Sequence, residues 1–300
     1  MSVVKAVGYI PELKFGTNYK QRIKLTDNLY LLSPSDTVAL DLKVSIEAKG
    51  YKLTDGSFLY YEGTLRQDGT TYEIFQGYAL ALSFFNPKGR ASCRALKELD
   101  TESEIELFID EHDRFGYETD DVITLIKNNI VTIENIYKRV EAQLVAESFN
   151  TLRNSLEFFI LFLEERKIRT RLLYLSISLE SILLEGESEG LAYKLGMRGS
   201  NLLNAYYKEV DMSKIFTELK NSYDLRSAII HGNDYKKASD KVNGKRGKTS
   251  TELDHILVLE VIVKDILSLV FGTEDLYNLS IKSQLGKTID QKYILDQKTS

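Results

Sequence analysis

An arginine and a histidine with four residues between them stand out in the segment Leu225-Arg226-Ser227-Ala228-Ile229-Ile230-His231-Gly232. The guanidinium is a permanent cation that can hold a phosphate, and the imidazole can move a proton near neutral pH. Together these two side chains indicate cleavage of a phosphodiester bond. R-x-x-x-x-H-G is therefore the candidate catalytic motif.

A helical projection of residues 215–231, at about 100° per residue, places Arg226 on the apolar side of a helix. A guanidinium among core-facing side chains is costly unless a carboxylate, a phosphate or a polar cavity meets it. Arg226 is therefore either a phosphate ligand or one half of a structural salt bridge. Glu180, on the predicted helix Leu172–Leu184, is an acid on a largely buried helix, and we expect it to approach Arg226.

His231 precedes a helix-stop signal formed by Gly232, Asn233 and Asp234, so we expect it in the last turn. The negative end of the helix dipole favours imidazolium there, which suits a general acid. The alternative is that His231 caps free carbonyls. On one ideal helix Arg226 and His231 lie roughly 140° apart and about 7.5 Å along the axis. Two copies of the helix would present both groups to one groove, which predicts a homodimer through the helical domain.

Tyr223, Leu225, Arg226, His231 and Gly232 stand in the order Y-x-L-R-x-x-x-x-H-G, and Leu179-Glu180 precedes them on another predicted helix. With these motifs, residues 145–272 resemble the HEPN superfamily of ribonucleases and toxins, in its Apea-like branch. The resemblance implies a helical bundle that dimerises so that two motifs face one cleft. It also implies a metal-independent endoribonuclease, in which a ribose 2′-hydroxyl attacks the phosphate and leaves a 2′,3′-cyclic phosphate and a 5′-hydroxyl.

The same resemblance assigns catalysis to Arg226 and His231. It implies RNA, such as tRNA, as substrate, and neither a metal nor another cofactor. A toxin or anti-phage effector is the favoured role, with an N-terminal domain that senses a phage or host trigger. The alternatives are a non-catalytic HEPN interaction module and a nucleotide-binding regulator. The supporting residues are Glu180, Tyr223, Ser227 and Asn233, of which Ser227 stands where many HEPN nucleases carry Asn, Asp or His.

The net charge of −5 argues against general coating of nucleic acid, but a nuclease need be basic only locally. One markedly cationic segment follows His231 and contains Gly244 and Gly247. It is either a mobile, solvated connection or a flexible clamp on the RNA backbone. Its candidate RNA-binding residues are Lys236, Lys237, Lys241, Lys245, Arg246 and Lys248, opposed by Asp240.

Cys93 is the only cysteine, which excludes an internal disulfide and fits a reducing compartment. The first residues lack the cationic and apolar regions of a leader, and we expect a cytoplasmic protein with no membrane span. His112 and His255 fit no zinc-ligand spacing, and we interpret them as ordinary surface or core-edge residues.

The overall pattern predicts an α+β protein: an antiparallel β-rich domain over residues 1–117, then an all-α bundle over residues 118–300. The resemblance implies that the first is a sensor or regulatory domain and that the second is a HEPN-type bundle. Val38–Ile46 alternates with period two, as a half-buried strand does. Asp55-Gly56 and Asp68-Gly69 mark turns among further predicted strands, and Pro87, Lys88 and Gly89 end the β region. These strands are Ser57–Arg66, Thr71–Phe75 and Tyr78–Phe85.

The helical region is expected to begin at Thr119 as an N-cap. The chain beyond Lys282 is polar and predicts a short final element with a frayed tail. The predicted helices, besides that of residues 215–231, are Thr132–Phe149, Leu152–Arg166, Arg169–Leu184 and Thr251–Phe271.

Overall fold

A computed structural model describes most of the 300-residue chain. The chain divides into two compact units, Met1–Glu141 and Ala142–Ser300. The predicted α+β class is confirmed, with the antiparallel sheet in the first unit and the helices of the bundle in the second. The described residues are 3–11, 13–15, 22–33, 35–50, 53, 56–65, 70–86, 91, 93–99, 104–107, 123–125, 129–146, 148–207, 209–232, 235–246 and 252–299.

The first unit is built on a six-stranded sheet whose neighbouring strands all pair antiparallel. Its strand order is β3-β4-β5-β1-β6-β7, and a separate parallel pair joins β2 to β8. The strands are β1 (Val3–Ile10), β2 (Leu13–Phe15), β3 (Ile23–Lys24), β4 (Leu29–Leu31), β5 (Ser57–Thr64), β6 (Ala95–Glu98), β7 (Glu106–Leu107) and β8 (Ile123–Leu125). Of the predicted strands, only Ser57–Arg66 is confirmed, as β5.

The strand predicted at Val38–Ile46 is wrong, because Thr37–Ala48 forms helix α1. The Asp36 side chain caps this helix by accepting a hydrogen bond from the Val38 amide at 3.0 Å. Its buried side chains, Ala39, Leu42 and Ile46, are spaced by three and four residues and pack into the core beside the sheet. The apolar alternation is incidental, since the five alternating residues do not share one face of the helix: Leu42 and Ile46 are buried, whereas Leu40 and Val44 are exposed.

The strands predicted at Thr71–Phe75 and Tyr78–Phe85 are also wrong, because Thr71–Phe85 is one helix, α2. It begins at a capping box, in which the Thr70 hydroxyl accepts from the Glu73 amide and the Glu73 carboxylate accepts from the Thr70 amide. Ten of its residues are buried, so its apolar character extends around most of the helix and hides the helical period.

Helix α3 (Ile130–Leu144) packs largely with the first unit, although the helical domain was expected to begin at residue 118. The Tyr137 ring lies 5.6 Å from that of Tyr78 in α2, and Ile133 and Val140 are buried. The boundary between the units accordingly follows Glu141. Thr119, Asp55, Asp68-Gly69 and Pro87–Gly89 lie outside the described residues, and the helical pattern expected from Thr119 onward is broken by β8.

The second unit is all helical in its described residues. The predicted helices Leu152–Arg166, Arg169–Leu184, 215–231 and Thr251–Phe271 are confirmed within a few residues, as α4, α5, α7 and α9. Helix α5 packs against α4, α7 and α9 through buried Leu172, Leu175 and Leu179. The helices are α4 (Thr151–Glu164), α5 (Ile168–Leu183), α6 (Leu191–Tyr206), α7 (Met212–Ile230), α8 (Tyr235–Arg246), α9 (Glu252–Gly272), α10 (Glu274–Ile281) and α11 (Leu285–Thr299). Within these described ranges, no helix is long and apolar enough to cross a membrane.

A buried arginine fastens the last helix to the bundle. Arg198 of α6 is 1% exposed. Its Nε donates to Asp290 Oδ1 in α11 at 3.0 Å, and its Nη1 donates to the Leu183 carbonyl at 2.6 Å. Its Nη2 donates to Glu187 Oε1 at 2.6 Å, and Glu187 also pairs with the Lys194 ammonium. The polar stretch expected to be a short element with a frayed tail is thus a fifteen-residue helix anchored in the core by a charge.

We expect the alanine variant of Leu42 to lose about 2–5 kcal/mol of unfolding free energy, because a fully buried leucine leaves a cavity. Leu40→Ala and Val44→Ala should each change it by less than about 0.5 kcal/mol, because those side chains are 44% and 65% exposed. Urea unfolding measures all three. In a strand the three side chains would share one face, so equal losses would contradict helix α1.

Arg198, Glu187, Lys194 and Asp290 form an ion-paired group, called here the Arg198 cluster. We expect its ion pairs with Glu187 to weaken at acidic pH. Hydrogen bonds from Lys194 and Arg198 hold the pKa of Glu187 at about 2, below its usual 4.5. A depressed pKa in the folded state stabilises the protein above pH 4.5, and this contribution is lost as the pH falls from 4.5 toward about 2. In urea unfolding across that window, Glu187→Gln should be less stable than wild type at pH 6 and should vary less with pH. The exposed neighbour Glu189, changed to Gln, should keep the wild-type steepness, and an equal change in both variants would contradict the assignment.

Candidate active site

Arg226 meets Glu180 across the helical unit, as expected from the two projected helices. Arg226 Nη2 of α7 lies 3.2 Å from Glu180 Oε2 of α5, and the two side chains are 22% and 15% exposed. The guanidinium also lies over the Tyr223 ring, 5.8 Å from its centroid. The contact predicted between Glu180 and Arg226 is therefore confirmed, and the carboxylate and the ring hold the guanidinium from two sides.

The ion pair leaves hydrogen-bonding capacity unused. Arg226 Nε and Glu180 Oε1 are shielded from solvent, and neither has a hydrogen-bond partner among the described residues. Buried polar atoms of this kind are uncommon in native proteins, and a bound ligand is one explanation for them. Nε is a donor that matches a phosphate oxygen, and Oε1 is an acceptor that matches a hydroxyl. Both atoms have almost no contact with solvent, so a ligand would reach them only after the side chains move.

Burial raises the pKa of the Glu180 carboxyl above its usual range, and the charge of Arg226 opposes this rise. The raised value means that the folded protein binds a proton here more tightly than the unfolded chain does. Neutralising Glu180 as the pH falls therefore favours the folded state. This direction is opposite to that of Glu187, whose carboxylate has two cationic partners.

His231 is the C-cap of α7 and its side chain is exposed. Its backbone amide donates to the Ser227 carbonyl at 3.1 Å, and Gly232 follows with a φ of +63°, the left-handed conformation that ends many helices. The expected helix stop is confirmed. No hydrogen bond joins His231 to Arg226 within the described part of the chain, so the structure brings Arg226 to Glu180 but leaves His231 apart.

The remaining predicted supporting residues differ in what the structure shows. Tyr223 and Ser227 are half-buried on α7, one turn before and one residue after Arg226. Tyr223 contacts the guanidinium, and the Ser227 carbonyl takes part in the helix end. Asn233 lies outside the described residues.

The cationic segment after His231 was expected to be a mobile connection or a flexible clamp on RNA, and an irregular conformation is wrong for residues 235–246, which form α8. Binding of RNA by its cations stays a prediction. Tyr235, Ser239 and Val242 are buried at a spacing of four and three, so packing supports a helix despite Gly244. Lys236, Lys237 and Lys241 are exposed on the other side. The side chains of Lys245 and Arg246, and the whole of Lys248, lie outside the described residues.

A small polar cavity beside α7 was missed by the sequence reasoning. Glu218, Ser222 and His255 line it together with Leu172, Leu225 and Leu259. His255 is 5% exposed, so it is a buried residue rather than one at the surface or core edge. Ser222 lies one turn before Arg226, and this spacing is the only sequence signal that could have placed the cavity near the motif.

Changing Arg226 to Met should cost about 1–3 kcal/mol of unfolding free energy, because the half-buried Glu180 carboxylate loses its counter-charge. In the double variant with Glu180→Gln, much of this cost should disappear, since no unpaired charge remains. A double-mutant cycle in urea measures the coupling. The exposed pair Lys24–Asp27, whose side chains are 58% and 92% exposed, serves as the control and should couple far less, because both charges stay in water. Strictly additive effects at Glu180 and Arg226 would contradict the contact.

Among the described residues, no group of three or more His, Cys, Asp or Glu side chains could hold a metal ion. Comparison of the chain with protein-family models, curated proteins and solved structures finds no match. The resemblance to HEPN ribonucleases therefore rests on the motif residues, and the geometry of Arg226, Glu180 and His231 is what bears on function.

Proposed function

We propose that this chain is a metal-independent endoribonuclease of the HEPN type. The observation that carries the proposal is the half-buried ion pair between Arg226 and Glu180, which keeps an unused donor and an unused acceptor on the helix that ends at exposed His231. Arg226 holds the scissile phosphate and His231 transfers protons. Glu180 and Tyr223 orient the guanidinium.

In the proposed reaction, the ribose 2′-oxygen attacks phosphorus and the bond from phosphorus to the 5′-oxygen breaks. The 2′-hydroxyl loses a proton to a base, and the 5′-oxygen takes a proton from an acid, so the products are a 2′,3′-cyclic phosphate and a 5′-hydroxyl. Arg226 stabilises the charge that develops on the non-bridging phosphate oxygens. A histidine imidazole can serve in either proton transfer.

The reaction needs two proton-transfer groups, and each chain has one His231. Arg226 is largely buried whereas His231 is exposed at the helix end, and no hydrogen bond joins them in the described chain. A homodimer that opposes two α7 helices would supply two imidazoles and two guanidinium groups to one groove. We therefore propose the homodimer as the active species.

The proposed setting is a cytoplasmic toxin or anti-phage effector that cuts RNA, such as tRNA. The first unit would act as the sensor of a phage or host trigger, because an unregulated ribonuclease would harm its host. The lone, buried Cys93 is consistent with a reducing compartment.

A non-catalytic HEPN module is the second candidate. It is favoured by the observation that Arg226 already has a carboxylate partner and that His231 occupies the C-cap of α7. In that case the ion pair only holds α5 to α7, and the protein binds a partner or a nucleotide without turnover.

Purified protein should cleave total RNA or tRNA in EDTA, and Arg226→Ala and His231→Ala should each reduce the rate by about 10²-fold or more. The loss follows from removing a charge-stabilising group in one case and a proton-transfer group in the other. The rate per chain should also fall on dilution, in step with the mass measured in solution, because the site needs both subunits. Product ends are read by their resistance or susceptibility to a 3′-phosphatase before and after acid opening of the cyclic phosphate.

Lys220→Ala, which removes an exposed cation from the same helix, is the control and should cleave like wild type. Thermal melting shows whether each variant is folded. Wild-type rates in both folded motif variants, or a strict need for added magnesium, would refute the catalytic assignment. A fully active monomer would refute the shared groove alone.

A further inference from the structure

Two basic segments that are distant in sequence meet in the second unit. Arg166 and Lys167 lie in the turn before α5 and Arg169 lies in its first helical turn, and all three side chains are exposed. The Arg169 guanidinium lies over the ring of Tyr235, the first residue of α8, at 4.5 Å from its centroid. The turn before α5 and the start of α8 are therefore neighbours.

Two features hold the Arg169 guanidinium against the Tyr235 ring. Tyr235 is 7% exposed, so its ring forms part of the packed face of α8. Arg169 Nη2 lies 3.4 Å from Glu252 Oε1 of α9, which holds the guanidinium against the ring while its side chain remains 59% exposed. Burial raises the pKa of the Tyr235 hydroxyl to about 12, so the ring is neutral when the arginine stacks on it.

Helix α8 turns its lysines away from this packed face. Lys236, Lys237 and Lys241 are exposed and lie within roughly 140° of helix surface, with exposed Asp240 among them. The Arg169–Tyr235 stack brings Arg166, Lys167 and Arg169 to the start of α8, and these six exposed cations of the two neighbouring helix starts are called here the α5–α8 basic surface. Nearby acids are partly engaged: Glu252 pairs with Arg169, and Glu165 accepts hydrogen bonds from the amides of Arg166 and Lys167.

The α5–α8 basic surface begins close to the motif. Tyr235 follows His231 by four residues, so their Cα atoms are at most about 14 Å apart. A polyanion held at His231 can therefore continue onto this surface. Exposed lysines and arginines without a concave apolar site suit a repeating anion better than a small ligand, because each phosphate meets a separate cation.

We propose that the α5–α8 basic surface binds the phosphate backbone of RNA beyond the cleaved bond. The inference rests on the proposed function for its ligand and adds to it that the substrate is an RNA chain long enough to leave the cleft and follow α8 toward the start of α5. The binding is electrostatic and independent of sequence, so base readout lies elsewhere.

The test measures binding of a labelled single-stranded 20-nucleotide RNA by fluorescence anisotropy in EDTA at several salt concentrations. The full-length protein carries His231→Ala so that the RNA stays intact. Lys167→Gln, Lys236→Gln and Lys241→Gln are combined on this background. Arg169 is left unchanged, because its stack on Tyr235 and its pair with Glu252 serve the fold.

Removing three phosphate contacts should make the negative slope of log binding constant against log salt less steep by about 2. The affinity should fall about tenfold or more at low salt. The matched control combines Lys214→Gln, Lys220→Gln and Lys282→Gln, which remove the same charge from exposed sites on α7 and at the end of α10, and it should keep the parent slope.

An unchanged slope and affinity in the first triple variant would overturn the proposal, as would equal losses in both triple variants. A surface that serves an acidic protein instead would give the unchanged result. The results can refute the nuclease and the α5–α8 basic surface independently. If these lysines contribute to RNA binding but the wild-type protein does not cleave RNA, the nuclease proposal is refuted and the basic surface stands. If the wild-type protein cleaves RNA but the triple variant binds RNA like its parent, the basic surface is refuted and the nuclease proposal stands.

Discussion

A cation buried among apolar helices must be buried with its counter-charge, and two arginines of the second unit meet this requirement to different degrees. Arg198 is surrounded by two carboxylates and a carbonyl that accept from all three of its nitrogens. Arg226 has one carboxylate and a ring, and its Nε remains without a partner in the described chain. Arg198 therefore holds α6 to α11, whereas the partly satisfied guanidinium of Arg226 is the one to which we assign phosphate binding in the proposal.

The two acids reflect the same difference. Glu187 lies between two cations, and its pKa is depressed to about 2. Glu180 has one cation at 3.2 Å and is more strongly affected by burial, so its pKa is raised. One bundle thus contains a carboxylate that is stable as an anion and another that is held as an anion mainly by Arg226. The second arrangement is the more sensitive to a change of charge nearby, such as an arriving phosphate.

Much of the second unit could be predicted from sequence because its helices are long and their apolar residues recur with the helical period. The Glu180–Arg226 contact followed from the same periodicity combined with the cost of burying charge. The partner of Arg198 could not be found in this way, because Asp290 lies in a polar stretch in which Leu285 and Ile289 are the buried apolar side chains among those described. Two such residues do not dominate the pattern. In the first unit, the apolar residues of α1 happen to alternate, and α2 is apolar around most of its surface. Neither segment therefore shows the helical period in its sequence, although both pack as helices. Helix α8 was hidden by its glycine and lysines, and the meeting of Arg169 with Tyr235 depends on tertiary structure alone.

The Arg198 cluster links positions 92 residues apart, from α6 to the last helix. During synthesis the chain must therefore complete α6 through α10 before the acid that neutralises this guanidinium exists. Until residue 290 has left the ribosome, Arg198 lacks one of its two carboxylates, and α6 cannot bury it at the same low cost. Domains of this size generally fold as units, and here the closing contact is a late, non-local one. The helical unit consequently acquires its final packing after translation of its last helix rather than progressively along the chain.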